Sequence, residues 1–266
     1  MPLTKRECEQ RWQVRLTRAR ELNRQFPDSA GLALYQAVLE FQAGVALRSC
    51  PTIARDVPLR DQIEIAGLSG EMRSILDIGA RHGPELLRSE AALLAAAGEE
   101  TFRRLLQASL SAITPKLEPV QDFFPRACLQ PIAENLQLQM AKQAHYIGSV
   151  CPVCGGLPLA GILRPEGEGA GRSLLCSFCF CEWPYRRVIC AWCGEEDKER
   201  LPRYSSDEWA HVHVEACDTC KRYMKAVDLS VNGLASPVVD EVAATVLDIW
   251  ANEHGYVKIM RNLIGF

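Results

Sequence analysis

The sequence has little of what marks the commoner functional classes. No apolar run approaches the about 20 residues that a membrane-spanning helix needs. The opening stretch, MPLTKRECEQRWQ, lacks the apolar core of a secretory leader. Formal net charge is only −3, too small and of the wrong sign for a general attraction to polyanions. No glycine-rich phosphate loop follows a strand-like run, and no Ser-His-Asp or paired-carboxylate arrangement is supported by spacing. SSDEW and EEDKE read as solvated turns, and no internal repeat of fixed period is evident. These absences point to a cytoplasmic protein, not a classical enzyme, with 48% hydrophobic residues to form a sizeable core.

What the chain has in quantity is cysteine, twelve in all. In a reducing cytoplasm they are better read as metal ligands or redox groups than as structural disulfides. Cys8, Cys50 and Cys128 are scattered, without partners at ligand spacing, and read as small buried or half-buried residues. The other nine lie between Cys151 and Cys220.

The chain changes character near Gly148. Before it, apolar residues recur near a 3.6-residue period, predicting helices over 6–26, from Asp28–Ser29 through Phe41, and over 71–82, 84–97, 100–113 and 125–147. The run AALLAAA at 91–97 is apolar nearly all round, which predicts a central, buried helix. After Cys151 the helical period gives way to short β-like runs at 157–163, 173–175, 183–189, 209–214 and 223–229. A helix returns after Pro237 and stops at Gly255. The expected fold is therefore α+β: a helical domain over 1–148, a tetra-cysteine β unit over 149–189, a second over 190–233, and a C-terminal helix and tail over 234–266.

Eight of the clustered cysteines form four Cys-x-x-Cys pairs: Cys151 and Cys154, Cys176 and Cys179, Cys190 and Cys193, Cys217 and Cys220. A tight turn between paired cysteines points both sulfurs to one side, so two pairs make one tetrahedral S4 site. Such a site suits zinc or iron, whereas magnesium and calcium require oxygen. Sequential pairing leaves 21 and 23 residues between partner pairs, spanned by hairpin-like runs; interleaved pairing leaves 35 and 37 and stays open. Thioredoxin-type redox chemistry fits poorly, since no helix start or βαβ pattern accompanies the pairs.

Glycine follows Cys154 and Cys193, where a positive φ closes the turn easily. Phe180 and Lys221 hold the matching places after Cys179 and Cys220, so those turns must close differently or carry strain. Cys181 is a ninth thiol, read either as a substitute ligand or reactive thiol, or as a spare strand residue. His211 and His213 alternate on one strand face; two imidazoles so placed could bind a metal, though a solvated face is the simpler reading. His82, His145 and His254 are isolated. Trp183, Trp192, Trp209 and Tyr223 are candidates for packing between β units or for partner contact.

CPVCG at 151–155, LLCSFCFCEWPYRRVICAWCG at 174–194 and EACDTCKRYMKAVDL at 215–229 resemble the formate dehydrogenase accessory proteins of the FdhE type. LQPIAE at 129–134 and DEVAATVLDIWANEHGY at 240–256, followed by Asn262, agree. The resemblance implies rubredoxin-like folds holding two metal ions, iron in preference to zinc. By matching position the ligands are Cys151, Cys154, Cys176, Cys179, Cys190, Cys193, Cys217 and Cys220. It further implies a cytoplasmic maturation factor that contacts the catalytic subunit of a molybdenum or tungsten formate dehydrogenase. Other readings are a nucleic-acid-binding zinc-ribbon protein, using Arg186, Arg187, Lys221, Arg222 and Lys225, or a stand-alone rubredoxin-like electron carrier. The net acidity and the lack of a basic stripe with aromatics weigh against nucleic acid.

Overall fold

The computed structural model describes residues 4–49, 53–54, 56–111, 116–140, 146–167 and 169–265. Cys50 and His145 lie outside the described residues. The chain divides into two compact units, Met1–Ala141 with Leu263–Phe266, and Lys142–Asn262.

The first unit is helical. It contains α1 (Lys5–Gln25), α2 (Ala30–Arg48), α3 (Ser69–His82), α4 (Glu85–Ala97), α5 (Glu99–Ser111) and α6 (Pro119–Gln137). Its helix starts follow local chemistry. Thr4 and Glu7 form a reciprocal capping box on α1, and the Ser29 hydroxyl accepts from the Leu32 N–H on α2. Cys8 and Cys128 are both buried here, in keeping with their reading as small buried residues.

The central helix is α6, not α4. Every residue from Asp122 to Gln137 is buried, whereas α4 buries only Leu87, Ala91 and Leu94 and leaves Leu93 67% exposed. Small alanines make α4 apolar without giving it enough volume to fill a core. The start of α6 also differs from expectation: it begins at Pro119, so Pro125 and Pro131 lie inside the helix. Pro131 lacks an N–H and leaves the Ala127 carbonyl without its usual partner. Gln42 of α2 supplies one, its amide donating to Ala127 O at 3.1 Å and to Gln130 Oε1 at 3.0 Å. Arg15 holds buried Glu134 through two bonds of 2.8 and 2.6 Å. Among the described helices, α2 is long and apolar enough on average to cross a membrane, although Gln36, Glu40 and Gln42 interrupt its apolar run; half of it is buried within this unit, as in a core helix.

The second unit is built on one sheet. Its strands are β1 (Pro158–Glu166), β2 (Gly169–Cys176), β3 (Glu182–Pro184), β4 (Arg203–Ser205), β5 (Val212–Cys217), β6 (Arg222–Asp228) and β7 (Val257–Lys258), in the order β3-β2-β1-β6-β5-β4, with β7 also on β6. The two tetra-cysteine halves are thus joined edge to edge. Ala160–Leu163 of β1 pairs in parallel with Lys225–Asp228 of β6, giving a single ladder across both halves. The predicted strand at 183–189 shortens to β3, because Pro184 has no N–H to continue pairing.

The C-terminal helix is two helices, α7 (Pro237–Ala243) and α8 (Thr245–Glu253), broken at Ala244. Lys225 explains the break. Fully buried on β6, its ammonium donates to the Glu241 carbonyl, to Ala244 O at 3.2 Å and to Asp248 Oδ2 at 2.6 Å. A cation thus caps the end of α7, bonding the Glu241 carbonyl and sharing the Ala244 carbonyl with the Leu247 N–H. Lys258 on β7 bonds Glu241 and sits 2.9 Å from Asp248 Oδ1, and Asn262 reaches Glu241 Oε2 at 2.9 Å.

Candidate metal centres

The hairpins return each knuckle to its partner. Antiparallel β1 and β2 bring Cys176 opposite Pro158, beside the turn that carries Cys151 and Cys154. The knuckle at Cys217–Cys220 is itself the turn between β5 and β6. Near it, the Asp218 N–H donates to Arg200 O at 2.9 Å, tying that knuckle to the segment after Cys193.

Two clusters result, Cys151, Cys154, Cys176 and Cys179 in one, Cys190, Cys193, Cys217 and Cys220 in the other. Within each, the four sulfurs lie within 4.8 Å of one another. Pairing of the motifs is sequential. Measured separations are 3.6 Å for Cys151–Cys179, 3.4 Å for Cys154–Cys176, 3.8 Å for Cys190–Cys220 and 3.6 Å for Cys193–Cys217. A tetrahedron with metal–sulfur bonds of about 2.3 Å has edges of about 3.8 Å, so the donor sets fit a tetrahedrally coordinated ion.

The knuckles share one backbone plan. The N–H groups of Cys151, Cys176 and Cys190 donate to the carbonyls five residues on, Gly156, Cys181 and Glu195, at 2.8, 2.9 and 2.8 Å. N–H groups of Val153, Phe178 and Trp192 lie 3.4 Å from the first sulfur of their knuckles, spreading thiolate charge. Gly155 and Gly194 have φ of 73° and 78°. Phe180 and Lys221 take the same left-handed conformation, with φ of 53° and 55°. The turns without glycine therefore close in the same way, and the two side chains carry the strain.

The clusters differ in exposure. Cys176 and Cys179 have no exposed surface, while Cys193 is exposed and Cys220 is half-buried. Burial pushes the Cys176 and Cys179 thiols well up, while hydrogen bonds from neighbouring thiols hold Cys151 down. In the second cluster, burial raises Cys220; for Cys193 a burial cost is outweighed by the Glu195 N–H and adjacent thiols, which lower it. Cys193 thus combines exposure with a lowered pKa, the two conditions that favour thiolate reactivity.

Cys181 is not a member of either four-sulfur group, yet it is buried, and its carbonyl closes the second knuckle. Its thiol neighbours Cys151, contributing a hydrogen bond there. The histidine face is not solvated: His211 Nε2 meets Asp240 Oδ1 at 2.7 Å, and His213, 5% exposed, lies against Arg203 and Glu215. His254 stacks on Trp250. Trp183, Trp209 and Tyr223 are buried, and Trp192 lies under the Arg222 guanidinium at 3.9 Å. Of the suggested basic group, Lys225 is neutralised in the interior, Arg186 pairs with Glu196 and Lys221 with Asp218.

A family model of the FdhE central domain matches residues 150–187, and one of the FdhE C-terminal domain matches residues 188–264. Among curated relatives, a protein FdhE homolog of Aquifex aeolicus is 34% identical over 54% of this chain and 52% of its own length. One from Haemophilus influenzae is 35% identical over 48% of this chain and 41% of its own. These matches thus span about half of the relatives or less, whereas a homolog from Shewanella baltica aligns at 27% identity over 77% of this chain and 82% of its own. The crystal structure of the FdhE protein from Pseudomonas aeruginosa has the same fold, with a TM-score of 0.72 and 24% identity over 95% of both chains. The two domain models adjoin and together span both cysteine clusters, so residues 150–264 of this chain are similar to the central and C-terminal domains of FdhE proteins.

Proposed function

We propose that each cluster binds one metal ion, iron or zinc, through its four cysteines, and that the protein matures a formate dehydrogenase. The observation that carries the metal assignment is two sets of four thiols at tetrahedral edge distances. A bound ion would crosslink the knuckles, and iron would add a one-electron couple. The chain's own part is to hold four thiolates together against their mutual repulsion, using knuckle N–H groups and burial.

The maturation role rests on the likeness of residues 150–264 to FdhE proteins. In this reading the protein acts in the cytoplasm, without classical enzymatic activity, by binding the catalytic subunit of a molybdenum- or tungsten-containing formate dehydrogenase. Exposed Cys193 and half-buried Cys220 make the second cluster the one able to meet a partner or exchange ligands. Nucleic acid is a poor fit, since most of the suggested basic residues are already paired.

Metal content and visible absorption of protein purified without oxygen test the first part. Ferric tetrathiolate absorbs strongly and zinc is colourless; protein that holds neither metal overturns the assignment. The second part is tested by deleting the gene in a host without a paralogue. Loss of formate dehydrogenase activity, restored by the wild-type gene, is expected, and normal activity in the deletion strain refutes it.

A further inference from the structure

A cavity of about 220 Å³ lies beside the second cluster, with Cys190 and Cys217 in its wall. The charged residues lining it are Arg172, Arg187, Lys198, Arg203, Arg222 and a single carboxylate, Glu215. Leu163, Val188, Leu201, Met224 and Ile259 add apolar surface.

The sole acid is already committed. Arg172 Nη2 bonds Glu215 Oε2 at 2.6 Å, and His213 Nε2 lies 3.6 Å from Oε1. Arg172 also donates from Nη1 to Arg186 O at 2.8 Å, yet its Nε is buried with no acceptor among the described residues. The remaining cations have no strong carboxylate partner among the described residues. Arg203 meets His213, Arg222 stacks over Trp192, and Lys198 is 4.0 Å from an equally exposed Glu199. The nearby acids are engaged elsewhere, Glu196 by Arg186 and Glu195 by Thr219.

Four uncompensated cations around an apolar floor are costly to place together unless an anion joins them. We propose that this cavity binds a small organic oxyanion, a carboxylate or phosphate carried on an apolar body. Guanidinium groups suit both headgroups, since their paired N–H donors match two oxygens. The volume equals that of about seven waters, which limits the ligand to a small molecule or a single protruding group. Charge from the neighbouring thiolates offers a competing reason for the cations, and metal content separates the two.

Calorimetric titration of the metal-loaded full chain with phenyl phosphate, benzoate and inorganic phosphate tests this. At least one aryl anion should saturate near one per chain with a dissociation constant of about 1 mM or below. Inorganic phosphate should bind about tenfold more weakly, lacking the apolar contact. Arg187→Ala/Arg222→Ala should weaken the aryl anion about tenfold or more. Lys198→Ala, on an exposed side chain, should weaken it by about threefold. Both variants should keep the wild-type metal content. No saturable binding by either aryl anion, equal binding of inorganic phosphate, wild-type affinity in the double variant, or metal loss from these variants would each overturn the proposal.

Discussion

Lys225→Met is the sharpest probe of how the sheet holds its C-terminal helices. In the wild type, Lys225 and Lys258 face Glu241 and Asp248, two positive against two negative charges, with Lys225 and Glu241 wholly buried. Methionine keeps the length and apolar body but removes three N–H donors. Glu241 O and Ala244 O lose a capping cation, and two carboxylates are left to one lysine. Removing one partner from a buried charge set costs about 3–5 kcal/mol, far more than a surface pair. For a unit of this size, that lowers the melting temperature by about 10–20 °C. The assay is thermal and urea unfolding of the full chain at fixed metal occupancy, since a bound ion would itself stabilise the fold. Lys225→Met/Asp248→Asn restores charge balance and keeps an oxygen for the Tyr223 hydroxyl, which bonds Asp248 Oδ1 at 2.9 Å. It should recover about 1–3 kcal/mol relative to the sum of the single changes. A loss below about 1 kcal/mol for Lys225→Met, or strict additivity in the pair, refutes the account.

Gly194→Ala should cost about 1–2 kcal/mol, read by urea unfolding, purely from backbone strain, because φ is 78° and no atom lies within 4 Å of an added methyl. Lys221→Gly should move stability the other way by about 1 kcal/mol or less, the relief being partly offset by a more flexible unfolded chain. Titration with a coloured chelator should remove metal in two phases, the faster from the cluster holding exposed Cys193; Cys220→Ser should abolish that phase and spare the slower one. Burial raises the Glu215 pKa, but Arg172 and His213 outweigh it and hold it at about 2, against an ordinary 4.5. The carboxylate's contribution, about 3 kcal/mol, is therefore fully present above pH 4.5 and drains away as pH falls toward 2. Glu215→Gln should flatten acid unfolding monitored by circular dichroism across that window.

Features set by local spacing were legible in the sequence. Two residues between cysteines dictate a turn, glycine after the second cysteine dictates its φ, and Ser29 and Thr4 cap helices within three residues of themselves. The hairpin-like run between Cys154 and Cys176, a local structure as well, favours sequential pairing, but the sequence leaves the interleaved pairing open and the folded clusters decide it. What escaped depends on contacts far apart in the chain. Pro125 looks like a helix start unless Gln42, 85 residues from Ala127, is known to serve the carbonyl that Pro131 frees. Lys225 reads as a surface charge until Glu241 and Asp248 fold over it. AALLAAA looks central by composition, but burial depends on what packs against it, and α6 with its large Phe123, Phe124 and Leu136 holds that place.

The parallel pairing of β1 with β6 bears most on the two clusters. Neither half ends its own sheet: the edge that the first half would expose at β1 is taken by Lys225–Asp228 of the second. The first half of β6 presents its two faces to different tasks. Tyr223 and Lys225 turn toward α7 and α8, while Arg222 and Met224 line the cavity beside Cys217. Gly161 of β1 is needed where the halves meet, since a methyl there would stand 3.1 Å from the Ala226 Cβ and 3.4 Å from Glu215 Oε2. One ladder thus couples a sealed cluster to an open one. The buried sulfurs at Cys176 and Cys179 sit at the end of β2, on the strand whose Arg172 anchors Glu215. The ladder thus runs unbroken from β2, which ends in buried Cys176, to β5, which ends in Cys217, 3.6 Å from the exposed Cys193.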